Sequence, residues 1–277
     1  MTEHDSWDAA ARARVGDRWV KAATGWNRSM TDALLATAAL TPNSVVLDLA
    51  AGSGDPALTV AERVIHGKVV ALDSSHTGLL LVKTRARQVA FDSKVSCIQA
   101  DAHAIPLARD SVDRITCRCG IMFFDNTGLV MSEMLRVLKP GGRVALLAWG
   151  SFEQPFFDAT VSVVLRLLRE AQMPPEARTM FRFASPGSLE RELKAAGFCS
   201  VHERSLTVPR IWAGTPHELW TYQQEVSTLC HPLFNSIPTD LRAKVDAGVS
   251  SSLARFQSGS VLSVPVNVIV AGGQRPE

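Results

Sequence analysis

Residues Val45–Val64 read VVLDLAAGSGDPALTVAERV. An apolar strand-like run leads into two glycines, Gly52 and Gly54, and a helix-forming stretch follows them. Glycines at such a turn let the backbone approach a ligand closely, and the strand-turn-helix order marks a nucleotide-binding crevice. The open question is which nucleotide. A dinucleotide, a nucleoside triphosphate and S-adenosylmethionine are all bound by folds that begin this way.

The rhythm around that stretch extends it into a sheet. The segments 44–50, 68–73, 94–100, 112–117 and 142–149 read as buried parallel strands separated by crossover helices. Repeated βαβ units of this kind predict a doubly wound, mostly parallel, Rossmann-like sheet. LKPGG (Leu138–Gly142) should end a helix and turn into the fifth strand. Beyond Gly150 the pattern loosens. A helix is expected over 158–172, another over 188–198 ending at Gly197, and a sixth strand over 199–208. A seventh strand is expected over 266–272, placed after Pro265 because proline cannot donate to a ladder. The expected organisation is a helical cap segment at 1–40, then an α/β domain at 41–277. Helical cap insertions near 151–184 and 209–260 would carry the acceptor site.

Composition narrows the function classes. A chain of 277 residues, 46% hydrophobic, can bury a substantial core. A net charge of +2 gives no strong footprint for nucleic acid, and KTRARQ (Lys83–Gln88) reads as the solvated face of a helix. Five cysteines without a CxxC pair point to reduced thiols and a cytoplasmic protein. No apolar run is long enough for a membrane span.

Charge then separates the ligands. Gly52–Ala57 fits G-x-G-x-x-A, the dinucleotide pattern, and Asp55-Pro56 reads as a helix N-cap and first helical position. A pyrophosphate, however, wants an acid-free helix N-terminus. Asp48 precedes the glycines and Asp55 follows them. Two carboxylates repel a pyrophosphate but suit S-adenosylmethionine, which lacks phosphate and carries an ammonium and a sulfonium. Asp73 and Asp101 end the second and third strands, so acids from successive strands converge on one crevice. There Asp73 can take ribose hydroxyls and Asp101 the adenine amine.

VLDLAAGSGD, VVALDSS, QADAHAIPLARDSVDRITCRCGIMFF and EMLRVLKPGGRVALLAWG together resemble the class I S-adenosylmethionine-dependent methyltransferases. Within them the chain is similar to the ubiquinone/menaquinone C-methyltransferase-like group (methyltransferase type 11). The resemblance is strongest from Val45 to Gly150. It implies that Gly52, Ser53 and Gly54 contact the cofactor, that Asp73 binds the ribose, and that Asp101 with Ala102 holds the adenine. It places Arg118 beside the methionine moiety, where many relatives carry a small or polar residue. The candidate cofactor set is thus Asp48, Gly52, Ser53, Gly54, Asp73, Ser74, Asp101, Ala102 and Arg118.

Rival chemistries find less support. The only tyrosine, Tyr222, is not followed by a lysine four residues on, as a short-chain reductase requires, and no GxxxxGK[ST] is present. CRCGIMFF replaces the Asn/Asp-Pro-Pro-aromatic motif of nucleic-acid amino-methyltransferases. Asp125-Asn126 lacks a second acid for magnesium, and no metal site is assigned. Cys117 and Cys119 read as small apolar fillers, and Trp149 as core. The candidate acceptor-binding residues are Trp19, Trp26, Phe123, Phe124, Arg182, Arg210 and Trp212; His217 and His231 are candidate bases, and no catalytic residue is assigned. The expected partner is a small, apolar or planar methyl acceptor, with a homodimer left open. An NAD-dependent oxidoreductase and a non-catalytic nucleotide-binding module remain the alternatives at this point.

Overall fold

A computed structural model describes residues 25–277. Its sheet runs in the order β3-β2-β1-β4-β5-β8-β6, with a two-residue β7 paired to β8. The strands are β1 (Val45–Leu49), β2 (Lys68–Asp73), β3 (Val95–Gln99), β4 (Val112–Arg118), β5 (Leu138–Trp149), β6 (Cys199–Ala213), β7 (Gln257–Ser258) and β8 (Val261–Gln274). β1 to β5 pair in parallel, while β8 lies antiparallel between β5 and β6. The expected doubly wound, mostly parallel seven-stranded path is present. Because β1 pairs β2 on one side and β4 on the other, the strand order reverses between β1 and β4, and a crevice opens at their carboxyl ends.

Helices cover both faces. α1 (Arg28–Ala38) turns Met30, Leu34 and Ala38, spaced four apart, into the core, and ends at Ala39 in the left-handed region. α2 (Ala57–Arg63) and α3 (His76–Gln88) belong to the same face as α1, where Val46, Val60 and Val82 share one hydrophobic cluster. The opposite face holds α4 (Thr127–Val137) and, past the insertion α5 (Pro155–Ala159), α6 (Val161–Leu167) and α7 (Pro175–Arg178), the helix α8 (Ser188–Ala196). There Leu47, Leu49 and Ile115 meet Met131, Met134 and Leu193. Alternation along β1 therefore sends Leu47 and Leu49 one way and Val46 and Asp48 the other. That single parity decides what Asp48 can touch.

Four boundaries depart from the sequence expectation. β5 already begins at Leu138, which pairs with Val112, so LKPGG lies within the strand instead of leading into it. The helix over 158–172 is two helices, broken at Thr160, whose hydroxyl donates to the Phe156 carbonyl at 2.7 Å and satisfies it without a continuing turn. The sixth strand runs on to Ala213. The last strand starts at Val261 and passes through Pro265, which sits opposite Pro209 of β6, so two residues without N–H groups face each other. At that point β8 is not paired with β5, whose register begins at Val268. The remaining helices are α9 (Pro216–Val226), started by a Thr215–Glu218 capping box, α10 (His231–Asn235) and α11 (Thr239–Ala254). Among the described residues no helix is long and apolar enough to cross a membrane.

Candidate functional site

The glycine loop is shaped from below and from both sides. Gly52 and Gly54 have φ of 54° and 101°, and a Cβ at Gly54 would lie 3.3 Å from Val82 of α3. Asp73, at the end of β2, accepts from the Gly52 N–H at 2.7 Å and the Ser75 N–H at 2.8 Å. Asp73 thus shapes the loop itself. Ser74 beside it is exposed, and the Ser53 carbonyl accepts from Arg85 Nη1 at 2.8 Å. Arg85 belongs to the basic run that read as a solvated face, yet it is buried. The face of α3 that packs on the loop needs a long donor, and the alternating charges around Arg85 concealed it.

Asp48 is 0% exposed. Its Oδ2 accepts from the Ala57 N–H at 2.9 Å and its Oδ1 from the Thr116 hydroxyl at 2.7 Å. It therefore caps α2 from β1, the role the sequence suggested for Asp55. Burial raises the Asp48 pKa to about 7, against the lowering influence of Thr116 and Arg118. The folded chain therefore keeps a proton on Asp48 that the unfolded chain releases above about pH 4. Stability should fall as pH rises from about 4 to about 7 and then level. Chemical denaturation across that range, compared with Asp48→Asn, checks this: the variant should show the shallower decline.

Asp55 does not cap its helix. Its carboxylate pairs with the Arg118 guanidinium and accepts from Thr31 at 3.1 Å and Thr59 at 3.2 Å. Burial alone would lower the Arg118 pKa, but Asp55 beside it outweighs burial and holds it above the ordinary value. Arg118 Nη1 also donates to the Thr31 hydroxyl at 2.5 Å, tying α1 to the loop. Gly120, two residues on, has no room for a side chain: a Cβ there would stand 2.5 Å from the Ala50 Cβ.

On the other side of the crevice, Asp101 follows β3 with its side chain 70% exposed, 2.6 Å from His103 Nδ1. His103 Nε2 accepts from the Asn126 N–H at 3.3 Å, so Nδ1 carries the proton and donates to Asp101. Ala102 is buried. These residues suit a ligand with hydroxyls, an amine and positive charge. The loop's nearby guanidinium, Arg118, is spent on Asp55, which leaves it poorly disposed toward a pyrophosphate.

A cavity of about 270 Å³ adjoins this loop through Arg118 and Cys119. Its walls include Phe123, Trp149, Phe156, Phe157, Arg210, Trp220, Tyr222 and Gln223. Trp149, expected in the core, is half-buried and faces this cavity, because β5 ends there and the insertion bridges over it. Of the candidate acceptor residues, Phe123 and Arg210 line the cavity. Trp26 is 1% exposed behind Arg210, and Trp212 stacks on Tyr222 at 5.0 Å. Phe124 packs against His103, and its carbonyl accepts from Arg182 at 2.7 Å, so this pair borders the Asp101 loop instead. Trp19 lies outside the described residues. Cys117 is buried in the core, whereas Cys119 reaches the cavity wall. Neither His217 nor His231 lines it; His231 Nε2 is 2.9 Å from the Gln224 carbonyl. The α9 residues Tyr222 and Gln223 escaped the sequence reading, since nothing in an amphipathic helix says which turn overlooks a ligand. Among the described residues no three His, Cys, Asp or Glu side chains gather to hold a metal.

The model of the ubiE/COQ5 methyltransferase family matches residues 21–171. The chain belongs to that family. It is 28% identical over 196 residues to the ubiquinone/menaquinone biosynthesis C-methyltransferase UbiE of Dinoroseobacter shibae, covering 66% of this chain and 75% of that one. It is 33% identical over 172 residues to the demethylmenaquinone methyltransferase of Clavibacter sepedonicus, covering 58% and 68%. Among solved structures, the YcgJ protein of Bacillus matches with a TM-score of 0.58 at 21% identity, over 89% of this chain and 98% of that one. A Haemonchus contortus phosphoethanolamine N-methyltransferase bound to S-adenosylhomocysteine matches with a TM-score of 0.61 at 18% identity, over 100% and 61%. These two share the fold. Family membership makes the chain an S-adenosylmethionine-dependent methyltransferase that acts on a small molecule, and the oxidoreductase alternative falls away.

Proposed function

We propose that this family member methylates a planar, quinone-type metabolite held in the aromatic-walled cavity. The observation that carries this reading is the continuity between cavity and glycine loop: Arg118 lines the one and is bonded to Asp55 of the other. The names of the relatives, a ubiquinone/menaquinone C-methyltransferase and a demethylmenaquinone methyltransferase, support a ring carbon as the acceptor atom. The cavity walls draw on residues 27 and 30, on 149–161 and 180, and on 210–234, which supports an acceptor side built from the N-terminal segment and both insertions. Five free cysteines favour the cytoplasm, and a net charge of +2 favours a small acceptor over nucleic acid. A homodimer is compatible with this reading.

Gly52, Ser53, Gly54, Asp73, Ser74, Asp101 and Ala102 would hold the cofactor, with Asp73 on the ribose and Asp101 on the adenine. Asp48 and Arg118 serve the same site by fixing the loop. When bound, S-adenosylmethionine supplies an electrophilic sulfonium methyl group. The chain supplies position and dryness: aromatic walls exclude water and fix the plane of the acceptor. The titratable groups of the wall are poor bases, since burial pushes Tyr222 up to about 12 and Cys119 up to about 11. An acceptor that is already nucleophilic fits such a site.

Titration calorimetry should show binding of S-adenosylhomocysteine and silence from NAD and NADP. Methyl-labelled cofactor should pass its label to a ring carbon of 1,4-naphthohydroquinone. Tighter binding of NADH than of S-adenosylhomocysteine would overturn the reading. Charge-assisted hydrogen bonds are worth about 1.5–3 kcal/mol each, so Asp73→Ala should weaken cofactor binding about ten- to a hundred-fold or more. Asp101→Ala should cost less, because its side chain is exposed and the Ala102 backbone remains. Wild-type affinity in Asp73→Ala would refute the ribose assignment.

A further inference from the structure

Arg210 is a buried cation with no carboxylate partner among the described residues. It is 7% exposed and makes no ion pair with another described residue. Nε donates to the Trp26 carbonyl at 3.3 Å and Nη2 to Asn27 Oδ1 at 2.7 Å, while among the described residues no acceptor meets Nη1. Its guanidinium carbon lies 3.9 Å from the ring centre of Trp26, 5.3 Å from that of Phe156 and 5.5 Å from that of Trp149. Aromatic faces offset part of the cost of burying this charge, but they do not accept its N–H groups in line. Burial lowers its pKa to about 9, which still leaves it charged at neutral pH.

A second group in the same cavity shares the imbalance. Gln223, also lining it, is 5% exposed, and its Nε2 has no partner although its Oε1 accepts from Ser227 at 3.3 Å. A buried amide donor left unpaired is costly, and so is a buried charge without a counter-ion, so a ligand that offers both an acceptor and a negative charge would be favoured here. The other cavity guanidinium, Arg118, is already neutralised by Asp55. The surplus is therefore local to Arg210: one positive charge, donors without acceptors, and flat apolar walls.

We infer that the methyl acceptor is a planar organic acid whose carboxylate is bound by Arg210 with Gln223. This inference rests on the methyltransferase reading and names the chemical class its acceptor cavity selects. A carboxylate reaches the site already ionised, and its two oxygens can take the free guanidinium edge and the amide. The planar body would stack among Trp149, Phe156 and Phe157, with its carboxylate edge turned to Arg210.

Calorimetry on the full chain saturated with S-adenosylhomocysteine tests this with 2-naphthoate, 2-naphthamide and 2-naphthol as probes. The acid is expected to bind at least about tenfold tighter than the amide, with naphthol no tighter than the amide. Arg210→Gln should bring acid and amide within about twofold of each other while amide binding and S-adenosylhomocysteine binding stay within about threefold. Gln223→Leu, which leaves the guanidinium in place, should reduce the preference a few-fold and serves if the Arg210 variant does not fold. Equal binding of acid and amide by the unmodified chain overturns the inference, as does a preference that survives Arg210→Gln. Naphthol binding as tightly as naphthoate overturns the carboxylate assignment. Failure of S-adenosylhomocysteine to bind would instead refute the methyltransferase reading, so the two failures are distinct.

Discussion

Asp55→Ala is expected to lower the stability of the chain by about 3–5 kcal/mol, measured as a shift in urea unfolding at constant m-value. The size comes from what is left behind rather than from the bond removed. Arg118 keeps only 12% of its side chain in contact with solvent, and without Asp55 it would be a buried charge left with the Thr31 hydroxyl and the buried carboxyl of Asp48. Thr31 and Thr59 would also lose their acceptor. Pairing the change with Arg118→Met should recover most of the loss, because it removes the stranded charge and fills its volume. The single variant should also weaken cofactor binding, since Asp55 lies directly after Gly54 and anchors that end of the loop. A loss below about 1 kcal/mol would mean that water reaches Arg118 and that the pair is a surface ion pair in energetic terms.

Asp55 also shows where a sequence is legible and where it is not. The alternation of apolar runs with helical stretches is a local property, so strands β1 to β5, the glycine turn and the stop at Gly197 follow from spacing alone. The ends of the strands are set by partners. Nothing near Pro265 reveals that Pro209 will sit opposite it, so the strand looked shorter than it is. The acids of the crevice were recognisable as a group, because three of them end successive strands. Their division of labour was not. Asp48 and Asp55 are seven residues apart, and which of them caps α2 depends on the parity of β1 and on Arg118 and Thr116 arriving from β4. Arg85 was hidden in the same way: in KTRARQ every basic residue looks solvated until the loop that Arg85 holds is in place. The cavity was the least legible part. Its walls come from three separate segments, and the difference between Trp149, which faces it, and Trp26, which does not, is a matter of tertiary placement that no local pattern encodes.

Trp26 gives the sharpest test of that last distinction. The sequence made it a candidate for the acceptor site, and a contact residue there would affect turnover while leaving the fold intact. In the structure its ring is packed edge-on against Phe156 at 5.8 Å and Trp212 at 6.2 Å, with Arg210 over its face, and it is among the largest fully buried side chains. Trp26→Ala should therefore cost about 3–5 kcal/mol of stability through the cavity it leaves. For a chain of this size that corresponds to a fall in melting temperature of roughly 10 °C. The Trp26 carbonyl that holds Arg210 Nε would survive the change, but the face that supports the guanidinium would not. The folded fraction should thus keep its affinity for S-adenosylhomocysteine within about threefold, because the cofactor loop is held by Asp48, Asp73 and Arg85 rather than by Trp26. Trp26→Phe should recover a good part of the stability, since a smaller ring still covers Arg210 and Phe156. An unchanged melting temperature together with lost methyl transfer would move Trp26 from the core into the acceptor site and would require the cavity to extend behind Arg210.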